Sequence, residues 1–338
     1  MKAKALIVPE FGKMAVDETE VPAPGPGEVL LETLFSVVSP GTELRVFGGR
    51  QPGDIRPPFI PGYSLAGQVL DRGPGVSLPE GTLCFATGTQ AASHHLTWGG
   101  HASLAVVAKN AVVPVPEGVD ALSATFAHVA GIAWRGVSVS GIAARFNRGC
   151  DLTQTSVAVV GLGTIGQLST RCFKATGANV VAGDRSRFRV GVAQKVGVNA
   201  IVVENQLDEA FGPHLPQGAD IVVDSTGVES VLERAFALTR EKPWGVDGAP
   251  AGKVVVQGSY PGDVRFDYHA AFFKEMTLLF PRDAEPGDMR QVLELMADGR
   301  LEVADLATEV VVPEESPRVF SDFVQGRPDL LTVAFRWK

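Results

Sequence analysis

Val157-Ala-Val-Val-Gly161-Leu-Gly163-Thr-Ile-Gly166 is a short apolar run that empties into three glycines. Residues Val157 to Val160 suit a strand buried on both faces. The glycine spacing is that of a strand-turn-helix phosphate cradle. Gly161 permits the tight turn and Gly163 lets backbone approach a pyrophosphate. Gly166 lets the helix that opens at Thr164 and Ile165 pack closely on the strand, with its N-terminus facing the phosphates. A second apolar stretch, Asn179 to Gly183, ends at Asp184 about 20 residues on, where a carboxylate suits ribose hydroxyls. Together these features predict a dinucleotide site and a nicotinamide cofactor.

Outward from this stretch the pattern alternates. Apolar runs at Val180 to Ala182, Ala200 to Val203, Asp220 to Asp224 and Lys253 to Gln257 are separated by helical spacing, which predicts a parallel, doubly wound sheet. Upstream, to about residue 120, the chain is dense in Gly and Pro. Its short β-rich runs, Val29 to Val38, Ser64 to Leu70 and Ala102 to Val107, read as a small, mostly β domain. The segment from Lys242 to Gly252 reads as a surface loop. After about residue 280 a helix (Met289 to Ala297), a strand (Thr308 to Val312), a helix (Ser316 to Gln325) and a last strand (Thr332 to Trp337) are expected.

The composition excludes several classes. With 338 residues, 45% hydrophobic and 20% charged, the chain is ordinary globular material with room for two cores. A net charge of −8 gives no electrostatic footprint for nucleic acid, and the cluster Arg185, Arg187, Arg189 is too local to supply one. Met1 to Val8 reads as a strand, so neither a signal peptide nor a membrane span is expected, and the cytoplasm is the expected compartment. Cys84, Cys150 and Cys172 are far apart, which fits reduced, buried thiols better than a disulfide framework or a metal cluster.

The order of motifs carries more than the glycine turn alone. A β-rich N-terminal part holds Pro24-Gly-Pro-Gly-Glu-Val, Gly41-Thr-Glu43, Pro61-Gly62 and Gly67-Gln-Val69. Val113-Pro-Val-Pro-Glu-Gly follows, then the glycine turn, Asp184, Asp224-Ser-Thr-Gly and Gln257-Gly-Ser. The whole chain resembles the medium-chain dehydrogenase/reductase superfamily. The Ser39-to-Glu43, Pro61-to-Tyr63 and Trp98-to-Ala102 segments are similar to the branch containing hydroxyethyl-bacteriochlorophyllide dehydrogenase. The resemblance implies an α/β fold: a GroES-like, mostly β catalytic domain (1–127 and 279–338) and a Rossmann cofactor-binding domain (128–278), with the cofactor in a cleft between them. It also implies that Thr226 and Gly227 lie beneath the adenosine, that Gln257, Gly258 and Ser259 supply backbone beside the nicotinamide, and that Arg189 contacts the adenosine ribose. Asp184 repels a 2′-phosphate and favours NAD, while Arg185, Arg187 and Arg189 would accommodate NADP if Asp184 turned away.

The family's catalytic zinc takes a Cys, a His and a later third ligand. Here Pro40 stands at the Cys position and Tyr63 and Ser64 at the His-Glu pair, while the third position falls on His128 or Val129. A single imidazole cannot hold a tetrahedral ion, so no metal is expected. The four-cysteine lobe for structural zinc is absent too. Without zinc, hydroxyls are the available donors for a developing alkoxide. The resemblance places Thr42 at the relay hydroxyl and Glu43 at the carboxylate that supports a ligand. Tyr63 then polarises or protonates the substrate oxygen, Thr42 relays and Glu43 orients; the alternative is that Tyr63 only fills the vacated cavity. His94, His95 and His128 border the substrate side and are candidates to bind substrate or move a proton.

The expected activity is zinc-independent, NAD(P)-dependent interconversion of a secondary alcohol and a ketone. The alternatives are an NADPH-dependent quinone or enoyl reductase and a low-turnover nucleotide-binding sensor. Expected partners are a small alcohol or carbonyl substrate and further copies of the chain, as a homodimer or homotetramer, with the stretch Met276 to Phe280 the candidate sheet edge.

Overall fold

The structure, a computed structural model, describes residues 1–260 and 262–338. The chain divides into two compact units. One comprises Met1–His128, Met296–Gly299 and Val303–Lys338; the other comprises Val129–Leu295 and Arg300–Glu302.

The second unit is built on a six-stranded parallel sheet of Ser156–Val160, Asn179–Asp184, Asn199–Val202, Ile221–Asp224, Lys253–Val256 and Thr277–Leu279. Across the sheet, in chain order, they lie 3-2-1-4-5-6, the doubly wound dinucleotide order. Val157 to Val159, Val222, Val223, Val254 and Val255 are buried, as residues covered by helices on both faces must be. The helix Thr164–Ala175 buries Leu168, Cys172 and Phe173. Thr277–Leu279 pairs with Lys253–Val256 on one side and ends the sheet.

In the first unit the strand Glu28–Val37 pairs with Leu65–Arg72, Leu104–Ala108 and the C-terminal Thr332–Arg336. The chain's end is thus woven beside its beginning, with Ala334 opposite Val37. Two further small sheets pair Lys2–Ile7 with Ala15–Glu20 and Phe59–Ile60 with His95–Leu96.

Two expectations need correction. The return to the first unit falls after Leu295, not at residue 279: Thr277–Leu279 is a strand of the parallel sheet, and the helix Pro286–Ala297 is tied to the second unit through Arg135–Glu285 (2.7 Å) and Ser138–Asp288 (2.9 Å). Cys150 is exposed, beside Gly149 at φ +70°, where a turn ends the helix Ile142–Asn147. Cys84 and Cys172 are buried, and desolvation pushes both thiols up, Cys84 to about 11. Among the described residues no helix is long and apolar enough to cross a membrane.

Candidate active site

The glycine turn sits at the C-terminal end of Ser156–Val160. Gly161 has φ +88°, and Gly163 is the N-cap of the helix Thr164–Ala175. A Cβ on Gly166 would stand 1.8 Å from the Gly161 carbonyl oxygen, so helix and turn touch backbone to backbone. A Cβ on Gly163 would meet nothing within 4 Å, so there is open space beside the helix N-terminus, the kind of end that attracts anions. The neighbouring strand ends converge on this turn: a Cβ on Gly161 would meet Thr226 Cγ2 at 2.8 Å, one on Gly258 the Gly227 amide nitrogen at 2.5 Å, and one on Gly227 the Ser259 carbonyl oxygen at 2.7 Å.

Asp184 ends its strand with both carboxylate oxygens engaged. Oδ2 accepts from the Leu162 amide (2.7 Å) and Oδ1 from the Ser186 amide (2.8 Å), while Arg189 Nη1 lies 3.7 Å from Oδ2. Arg185 is exposed, and Arg187 pairs with Glu204 at 2.7 Å. The Gln257 side chain turns away from the turn: its amide donates to the Ile132 carbonyl at 3.0 Å, inside the helix Ala127–Val139. Asp224 is fully buried; its Oδ1 accepts from the Thr226 amide (3.0 Å) and hydroxyl (2.7 Å), and Oδ2 has no partner among the described residues. Burial outweighs those two hydrogen bonds and pushes its carboxyl up to about 6.

In the first unit the Tyr63 hydroxyl donates to Ser39 Oγ at 2.5 Å. Ser39 caps the helix Pro40–Phe47, and its amide donates to Glu43 Oε1 at 2.7 Å. Glu43, 1% exposed, places its other oxygen 2.8 Å from His101 Nε2. His101 Nδ1 lies 2.8 Å from Ser36 Oγ, which also accepts from Trp337 Nε1 at 2.9 Å. The Tyr63 ring stands edge-on to Trp98 (5.1 Å) and to His128 (5.3 Å). Trp98 is held at φ +72°, a strained backbone for a bulky residue of the kind that gathers at functional sites.

The structure therefore brings Tyr63, Glu43 and His128 together. Thr42 is half-buried in the first turn of its helix, its amide donating to the Ser39 carbonyl at 3.2 Å; the hydroxyl bonded to Tyr63 is that of Ser39. His94 turns to Thr19 Oγ1 at 3.1 Å, whereas His95 lines a cavity of 510 Å³ that Trp98, Arg56 and Phe59 also line. Sequence reading missed Ser39, Ser36, His101 and Trp337. The signal available was Gly62, whose φ of +86° and close approach to His101 leave no room for any side chain.

This donor set does not fit the family's zinc. Pro40 offers no ligand atom, Tyr63 is hydrogen-bonded to Ser39, and Glu43 and His101 are committed to each other. Among the described residues no three His, Cys, Asp or Glu side chains gather as a metal site needs.

A doubly wound sheet ending in this turn, with a mostly β unit in the same chain, is an architecture that two-unit dinucleotide-dependent oxidoreductases share. Residues 164–298 match the family described as zinc-binding dehydrogenase. L-threonine 3-dehydrogenase of Pyrococcus furiosus is 29% identical over 299 residues, 80% of this chain and 79% of that protein. The 2-desacetyl-2-hydroxyethyl bacteriochlorophyllide A dehydrogenase of Cereibacter sphaeroides is 23% identical over 347 residues, 100% and 99% of the two chains. The crystal structure of 2R,3R-butanediol dehydrogenase from Bacillus subtilis superposes with a TM-score of 0.83 at 19% identity, covering 99% of both chains. Over most of its length the chain is thus similar to medium-chain dehydrogenases, and these matches support an NAD(P)-dependent dehydrogenase of that type.

Proposed function

We propose that the chain interconverts a secondary alcohol and a ketone without zinc, and that Tyr63 gives or takes the hydroxyl proton. A bound nicotinamide dinucleotide supplies the hydride acceptor or donor. The observation that carries the reading is the buried Tyr63–Ser39 hydroxyl pair at 2.5 Å, at a position that the family gives to a metal ligand. Both hydroxyls rotate about their C–O bonds. With a carbonyl oxygen present, Tyr63 donates to that oxygen and Ser39 donates to Tyr63. On reduction the phenol proton passes to the substrate oxygen, and the phenolate left behind keeps the Ser39 hydrogen bond beside the positive end of the helix Pro40–Phe47. Glu43 holds Ser39 through its amide, His128 offers an imidazole beside the Tyr63 ring, and Thr42 lines the same helix turn.

NAD is favoured over NADP because the Asp184 carboxylate is held by two amides. Turning it aside for a 2′-phosphate strands the Leu162 and Ser186 donors. The reading includes a cytoplasmic homodimer joined at the sheet edge Thr277–Leu279.

The test is turnover across a panel of secondary alcohols and ketones with both cofactors. Tyr63→Phe is expected to lower kcat about 100-fold, with activity of the parent insensitive to zinc chelators. Full turnover by Tyr63→Phe, or zinc bound in proportion to activity, overturns the reading.

A further inference from the structure

We infer that Trp337, next to the last residue of the chain, fixes the tautomer of His101 and thereby positions the Glu43–Ser39–Tyr63 row. The last step rests on the reading of Tyr63 as proton donor; the tautomer does not.

An indole N–H can only donate. Trp337 Nε1 gives its hydrogen to Ser36 Oγ at 2.9 Å and so occupies one lone pair of that hydroxyl. Ser36 is fully buried, and its hydroxyl has one other neighbour within hydrogen-bond reach among the described residues, His101 Nδ1 at 2.8 Å. Its own hydrogen can be spent only there, so Nδ1 accepts and carries no proton. His101 Nε2 must then hold the ring's hydrogen, which it donates to Glu43 Oε2 at 2.8 Å. The remaining carboxylate oxygen takes the Ser39 amide at 2.7 Å. Every donor in the row from Trp337 to Glu43 thus has one acceptor, with the imidazole neutral and the carboxylate charged. An imidazolium would leave the Ser36 hydrogen without an acceptor among side chains that are fully buried.

Turning the ring over would bring carbon atoms to Ser36 Oγ and Glu43 Oε2 and lose both contacts, and other tilts are confined by its neighbours. Phe335 stands edge-on to it at 5.4 Å, and a Cβ on Gly62 would come within 2.5 Å of His101 Cδ2. Gly62 precedes Tyr63, so any shift of the imidazole bears on the backbone that carries the phenol. Trp337 is held in place independently of its indole, since its amide donates to the Leu34 carbonyl at 2.9 Å. Trp337→Phe therefore removes the donor and keeps the strand.

The experiment is nitrogen-15 NMR of the histidine side chains, with the His101 signals assigned by their loss in His101→Gln. The parent is expected to show His101 as the Nε2–H tautomer. Trp337→Phe and Ser36→Ala should each shift its two ring-nitrogen signals toward a mixed or imidazolium state, and each should lower kcat about fivefold with KM within about twofold. The double variant should lose no more than either single one, because both break one row. Trp244→Phe, at a residue 82% exposed, is the control and should change neither signal nor rate. Unchanged His101 signals in Ser36→Ala, whose indole is intact, overturn the inference even if Trp337→Phe does not fold. Multiplying rate effects in the double variant overturn it as well. If Tyr63→Phe keeps full turnover while the signals shift as expected, the tautomer assignment stands and the role of Tyr63 falls.

Discussion

Asp224 closes a core strand with a carboxyl that meets two donors from Thr226 on one oxygen and no partner on the other. Burial raises its pKa from 3.8 to about 6. Between those values the folded chain holds more protons than the unfolded one, so stability falls as pH rises through that window. The cost is fully present above about 6 and absent below about 4. Asp224→Asn keeps an oxygen for Thr226 and never ionises. Its unfolding free energy is expected to exceed the parent's at pH 8, by up to about 3 kcal/mol, and to match it at pH 4. A difference that stays constant with pH in denaturant titrations would show that burial leaves the Asp224 carboxyl where it stands in the unfolded chain. A second prediction belongs to Asp184, on which the proposed preference for NAD rests. Asp184→Ser should weaken NAD binding about tenfold and narrow the gap to NADP, measured by fluorescence titration of NADH and NADPH; an unchanged ratio would remove the basis for preferring NAD.

The strand-turn-helix element was legible because backbone sterics leave it few sequences. Only glycine satisfies φ +88° at residue 161 at no steric cost, and only glycine tolerates a carbonyl oxygen 1.8 Å from where a Cβ would stand at residue 166. The two crowded and open positions separate two kinds of failure. Gly166→Ala pushes helix against turn and is expected to destabilise the second unit by more than about 2 kcal/mol. Gly163→Ala, at φ −65° with open space around it, should leave the unfolding midpoint unchanged and weaken dinucleotide binding. Equal stability losses in both variants would contradict this division. The Tyr63 row was less legible for a physical reason. Its members lie at 36, 39, 43, 63, 101 and 337, one on a strand, one in a helix and the others in segments between elements, and no periodicity links residues joined only by tertiary hydrogen bonds. Tyr63 and Glu43 were visible through positions the family gives to a metal site; Ser39 and His101 have no such marker, and Thr42 was read in the place Ser39 occupies beside the phenol.

At the scale of the whole molecule, the sheet of the second unit ends in an edge that is unpaired among the described residues. Thr277–Leu279 offers backbone donors and acceptors on its outer side, and nearby Tyr268, Phe272, Phe273 and Phe280 are more than half exposed. An exposed edge flanked by aromatic rings is a template for pairing with another chain, and within Met276 to Phe280 there is neither a charge nor a proline. A second copy related by a twofold axis would pair the edge with itself and cover the rings from both sides. The parent is therefore expected to sediment as a dimer, or as a tetramer of such dimers, at micromolar concentration. Phe280→Glu, 65% exposed in the single chain, places two like charges close together at that seam and should shift the population to monomer without lowering the unfolding midpoint of the monomer itself. A parent that sediments as a monomer, or a Phe280→Glu chain that keeps its assembly, would mean that this edge faces solvent and that its aromatic residues serve some other contact.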